Sequence, residues 1–176
     1  MRRLGIVTAL VTLLMAVSAA VALAVAPGTY PGSVNGANAP GSSHLASGTI
    51  ACTVNANLSI DCNNYVLGGV GNTNATVSLT ANYSATINCT NHGGNLVETH
   101  TSNFSASSSA TVASTRNGQL RVPAQSASPF SAPQVCPNPN WTPSIAPGTL
   151  VLNEFTYTLT FAGFSSPAVL ITASDP

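Results

Sequence analysis

Residues 74–90 read NATVSLTANYSATINCT. The odd positions, Ala75, Val77, Leu79, Ala81, Tyr83, Ala85, Ile87 and Cys89, are apolar, and every position between them is Thr, Ser or Asn. Successive side chains on a strand point to opposite faces, so this period buries one face and leaves the other in water. The same period recurs at Ile50, Cys52, Val54, Ala56, Leu58, Ile60 and Cys62, and again at Phe155, Tyr157, Leu159 and Phe161. No segment after Ala26 carries the period of an amphipathic helix. The patterning predicts an all-β protein.

The segments around Asn74–Thr90 divide by their turn signals. Tyr65 to Asn72 is an apolar strand broken by Gly68, Gly69 and Gly71, which mark a bulge or a close backbone approach. The long segment itself exceeds the usual strand of about five or six residues, so a bend or a crossing between sheets is expected near Asn82. Asn91-His92-Gly93-Gly94-Asn95 is a turn. Leu96 to Thr115 is rich in Ser and Thr and only weakly alternating, which fits an edge strand or a partly ordered loop. Asn117-Gly118 is a hairpin signal leading into Leu120-Arg121-Val122. Prolines recur from Ala124 to Pro147 and predict a long ordered loop; Leu150 to Phe161 and Ala168 to Ala173 are the closing strands. Seven to nine short strands at regular spacing point to an immunoglobulin-like antiparallel β-sandwich.

The N-terminus is Met1-Arg2-Arg3 followed by an apolar run from Leu4 to Ala26. A basic start, an apolar run and small residues at its end make a secretory signal, so residues 1–26 are expected to be a signal peptide and signal helix. Ala22-Leu23-Ala24 offers the small-x-small cleavage pattern, which sets the mature start near Val25. The run is also long enough to span a bilayer, and an uncleaved membrane anchor is the rival reading. Residues 27–47 are rich in Gly, Pro, Ala, Ser and Asn without periodicity and are expected to be a flexible leader. Residues 48–176 make one domain.

Charge is nearly absent. Charged residues are 5% of the chain, where about 25% is usual. After residue 26 only Arg116 and Arg121 stand against Asp61, Glu98, Glu154 and Asp175, and there is no lysine. Nucleic acid is excluded as a partner, since phosphate neutralisation needs a basic patch. Docking on anionic lipid is excluded for the same reason, so no membrane contact is expected after signal cleavage. Solubility falls to Ser, Thr and Asn.

Four cysteines in an exported chain read as two disulfides before they read as metal ligands. Three connectivities are possible. Cys52 and Cys62 lie on one face of their segment, and a turn near Asn57 sets them opposite each other within bridging reach. That leaves Cys89 with Cys136.

Gly68-Gly69-Val70-Gly71-Asn72, the alternating strand ending in Cys89, the Asn91–Asn95 turn and Cys136-Pro137-Asn138-Pro139-Asn140-Trp141-Thr142 together resemble a family of small secreted proteins of high-GC Gram-positive bacteria. The resemblance runs from about Cys62 to Ala173. It implies a β-sandwich, with Cys89 and Cys136 as the usual pair and Cys52 and Cys62 as an additional one. It lends no catalytic residue. If the source is bacterial, the Asn-x-Ser/Thr triplets at Asn57, Asn74, Asn82, Asn88, Asn103 and Asn140 are chance products of composition.

Candidate chemistry is sparse. His92, Glu98 and His100 carry metal-ligand groups, but nothing in the sequence fixes His92 except a Gly-Gly loop, so no metal is expected. A glycosidase needs two carboxylates facing each other across a sugar, and Glu98 with Glu154 is the pair to check. No Gly-x-Ser-x-Gly elbow and no phosphate loop are present, and no cofactor is implied. Trp141 is the one tryptophan, set in a proline-stiffened loop. It is expected to cap the core beside a Cys89–Cys136 bridge; the alternative is a sugar platform formed with Tyr65 or Phe130.

These readings converge on a secreted, non-catalytic structural or interaction protein of the extracellular space, with a cell-surface glycan or protein as the expected partner. A carbohydrate-binding or adhesion module using Trp141, Tyr65 and Phe130 is the first alternative. A small secreted hydrolase is the second.

Overall fold

The computed structural model describes residues 24–131 and 134–174. The expected signal segment lies outside the described residues as far as residue 23. Twelve strands follow: β1 (Gly28–Pro31), β2 (His44–Gly48), β3 (Ala51–Val54), β4 (Ile60–Cys62), β5 (Tyr65–Gly68), β6 (Ala75–Thr90), β7 (Leu96–Val112), β8 (Leu120–Val122), β9 (Gln125–Ala127), β10 (Thr142–Ile145), β11 (Val151–Phe161) and β12 (Val169–Ser174). Every pairing among them is antiparallel.

The alternating stretch is β6, a single strand of 16 residues at the centre of a five-stranded sheet. It neither bends into another sheet nor breaks at Asn82. The reason is supply of partners: β7 pairs along its whole length on one side, while β11 takes Ala75–Ser84 and β10 takes Ile87–Thr90 on the other. The irregularity sits in β11 instead, where a register shift between Leu152 and Glu154 makes a bulge. β12 closes the sheet beyond β11. β7 is the edge strand that its weak alternation suggests, and it is ordered over 17 residues.

The remaining strands form a four-stranded sheet, β1-β3-β4-β9, and a three-stranded sheet, β2-β5-β8. They come as consecutive pairs, β2 with β3, β4 with β5 and β8 with β9, each pair interrupted by two residues. One interruption contains Pro123, which has no N–H to give to a ladder. Three chain segments are therefore creased at the same level.

Two expectations are corrected here. Residues 27–47 are not a flexible leader: β1 pairs with β3, setting Tyr30 opposite Cys52, and β2 pairs with β5. Tyr30 packs edge-on against Phe155 at 5.2 Å between ring centroids, and its hydroxyl donates to the Ala26 carbonyl at 2.8 Å. These strands satisfy backbone groups that β3 and β5 would otherwise leave open. The proline-rich segment is likewise not all loop, since it holds β9 and β10. Pro143 is accommodated because β10 has a partner on one side only.

All three sheets contribute to one core. Tyr83, Leu79, Phe155, Tyr157, Leu159 and Phe161 of the large sheet meet Ile60, Leu67 and Leu120 of the smaller ones, all fully buried. Between the layers the Tyr157 hydroxyl donates to the Tyr65 hydroxyl at 3.1 Å. A satellite cluster of Ala85, Ile87, Cys89 and Cys136 lies under the far end of β6, with Trp141 and Ile145 against it.

Candidate functional site

The cysteines pair as their spacing suggests. Cys52 and Cys62 are direct cross-strand neighbours on β3 and β4, with Cα atoms 3.9 Å apart. Cys89 at the end of β6 reaches Cys136 in the loop before β10, 5.9 Å between Cα atoms. Two bridges in a chain of this size belong to an oxidising compartment. No helix among the described residues is long and apolar enough to cross a membrane, a statement that leaves β-barrels untouched.

The three aromatic residues expected to share a ligand surface do not share one. Tyr65 is 2% exposed, its ring in the core and its hydroxyl held by Tyr157. This corrects its assignment as a possible contact: Tyr65 and Leu67 occupy one face of β5, and that face packs on the large sheet. Trp141 is half-buried against the Cys89–Cys136 cluster. Its N–H backbone donates to the Asn138 carbonyl at 3.0 Å, which closes the turn that presents it. Phe130 is 63% exposed and lines a separate apolar concavity with Leu58, Ile145 and Pro147.

The ionisable candidates are also dispersed. His100 Nδ1 lies 3.7 Å from Glu98 Oε1, too far for a hydrogen bond, and His92 stays in the turn. No three metal-ligating side chains converge among the described residues. Glu98 pairs opposite Cys89 and so faces the inner side of the sheet, whereas Glu154 pairs opposite Asn82 on the outer side. The two carboxylates are separated by the sheet itself. That arrangement does not make an acid pair.

What the fold does assemble is the outer face of the five-stranded sheet. Register places Thr76 between Thr111 and Thr160, Ser78 between Ser109 and Thr158, and Thr80 between Ser107 and Thr156. The next row is Ser105, Asn82 and Glu154. Neighbouring strands lie about 4.8 Å apart and successive outward residues about 6.8 Å apart along a strand, so the hydroxyls form a regular lattice. Two grooves open on this face. One, of about 590 Å³, is lined by Asn82, Asn103, Ser105, Asn153, Glu154 and Ser174 among others. In it the Asn82 side-chain amide donates to Glu154 at 2.6 Å, and the lining Asn153 accepts from Ser84 at 3.1 Å. The other, of about 380 Å³, sets the Phe164 ring beside Thr76, Ser78, Thr111, Thr158 and Thr160. Phe164 is held by Phe161, with centroids 6.3 Å apart.

This surface offers neutral hydrogen-bond donors and acceptors around one carboxylate. The perturbed ionisable groups lie beneath it, in the core. Burial pushes the Tyr83 phenol up to about 12, and it raises the Tyr65 and Tyr157 phenols as well. The lattice was visible in the sequence as the wet half of the alternation in 74–90 and in Thr156, Thr158 and Thr160; only register joins the two into one surface. Comparison with protein-family models, curated proteins and solved structures finds no match to this chain.

Proposed function

We propose that this chain is an exported, non-catalytic structural or interaction protein of the extracellular or cell-surface space, a β-sandwich related to the immunoglobulin type in its layering. The observation that carries the reading is the outer face of the five-stranded sheet, where rows of Ser, Thr and Asn with a single glutamate stand in place of the usual charged surface. Such a face stays hydrated by hydrogen bonding alone, which makes its behaviour insensitive to the salt and pH swings of an external medium. Both disulfides support the same compartment.

Expression of the full chain in a Gram-positive host, followed by fractionation and N-terminal sequencing, tests the reading. Mature protein beginning near Val25, in the medium or on the wall, is the expected result. A start at Met1, or confinement to the membrane, overturns it. A second reading, a carbohydrate-binding module, is favoured by the Phe164 groove rather than by Trp141, because that groove joins an aromatic ring to five hydroxyls. Retardation on neutral polysaccharide gels that Phe164→Ala abolishes would select it.

A further inference from the structure

Among the described residues β7 is the longest strand, and it pairs with a strand on one side only. At about 3.3–3.4 Å per residue it extends an open ladder for roughly 55 Å. Natural edges of that length are blunted by lysine, proline, inward charges, bulges or a covering element. From Thr99 to Val112 β7 carries no charged residue and no proline, and its pairing with β6 is regular. The single irregularity lies at its start, where Val97 is extra between Leu96 and Glu98. The opposite edge of the same sheet, β12, is only 6 residues long. β9 packs against it, with the Ser108 hydroxyl donating to the Gln125 side chain, but among the described residues no second strand pairs with it; an open ladder this long is a feature to be used.

We infer that β7 pairs antiparallel with β7 of a second copy of this chain, about a two-fold axis at Phe104, joining the two large sheets into one. The strand is complementary to itself in that register. Glu98 falls opposite Ala110 and His100 opposite Ser108, so no charge meets a like charge. On the outer face every opposed pair between Thr99 and Ser109 is Ser, Thr or Asn, among them Asn103 with Ser105. At the axis the two Phe104 rings meet; each is half-buried and stacked on its own Tyr83, centroids 5.7 Å apart. An isologous contact closes on itself, so it yields a dimer and not a fibre. The near absence of charge favours a like partner, because nothing on this edge selects or repels a partner by sign. The hydroxyl lattice then runs unbroken from one copy to the other. The inference goes beyond the export reading and does not rest on it.

Sedimentation of the disulfide-bonded mature chain from micromolar to millimolar concentration tests it. A reversible monomer–dimer equilibrium is expected. Asn103→Lys/Ser105→Lys sets lysine against lysine twice across the axis and should weaken the dimer at least tenfold. Asn103→Glu/Ser105→Glu should do the same. A mixture of the two variants should restore a heterodimer. Thermal melts of each variant confirm that the monomer still folds, both substitutions being on the outer face. A chain that stays monomeric throughout overturns the inference, as does a dimer unaffected by either charge pair, or one that mixing does not restore.

Discussion

Replacing Cys89 and Cys136 by alanine opens a loop spanning 47 residues, whereas replacing Cys52 and Cys62 opens one spanning 10. Closing a loop removes disorder from the unfolded chain in proportion to the logarithm of its length. At room temperature this gives about 4 kcal/mol for the long loop and about 2.7 kcal/mol for the short one. All four cysteines are buried, so the cost of vacated space is similar in both variants and largely cancels in the comparison. The longer bridge should therefore be worth about 1.3 kcal/mol more. The structure adds a spatial expectation. Cys52 and Cys62 are already neighbours in the β3–β4 ladder, but Cys136 lies outside any ladder, in the loop that leads into the four-residue pairing of β10 with the end of β6. Urea unfolding of both double variants, analysed as free energies because the unfolded chain expands when a bridge is lost, measures the difference. Amide exchange should show β10 and the satellite cluster losing protection only without Cys89–Cys136. A Cys52/Cys62 variant as unstable as the Cys89/Cys136 one would refute the loop argument.

Four further outcomes are expected. Tyr157→Phe leaves the buried Tyr65 hydroxyl without its donor and should cost about 1–2 kcal/mol in chemical unfolding, with the fold intact by circular dichroism. Three phenols are raised by burial, so they stay neutral in the native state while the unfolded chain ionises from pH 10 upward. Stability is fully present below pH 10 and is lost as pH rises through the native value of about 12 for Tyr83, at about 1.4 kcal/mol per pH unit for each phenol; melts between pH 8 and 12 read it. Gly69 has φ of +73°, and a Cβ there would run into the Ser42 carbonyl oxygen, so Gly69→Ala should cost about 3 kcal/mol or more and shift the melting temperature accordingly. Trp141→Ala, at a half-buried site, should cost about 2 kcal/mol, below the range for a fully buried tryptophan, and wild-type emission should lie between buried and free indole.

The sequence spoke clearly wherever one face of a strand is buried and the other is wet. β6 and β11 have that asymmetry, and the positions of Tyr83, Phe155 and Tyr157 in the core follow from it. β2 is exposed at all five residues, so it carries no apolar period to read, and β1 is too short to show one. β10 was hidden by Pro143, which a one-sided strand tolerates, and β9 by its three-residue length between Pro123 and Pro129. Tyr65 was open to a better reading, since it shares parity with Leu67, and parity rather than aromatic character decides which face a side chain takes. The outer face stayed illegible as a surface because no local pattern states which Thr of β11 lies beside which Ser of β6.

The crease in the smaller sheets divides their layer into two panels that behave differently under load. Ladder pairing stops at Gly48 and Tyr65 on one side and resumes at Cys52 and Cys62 on the other; between them the Asn63 N–H donates to the Ala51 carbonyl at 3.0 Å across the fold line. The panel of β3, β4 and β9 is stapled by Cys52–Cys62, and the panel of β2, β5 and β8 has no staple. A tear that starts at the exposed β2 can run to the crease and stop there. The exposed β2 is thus expected to open before the stapled β3 and β4, read as faster amide exchange in β2.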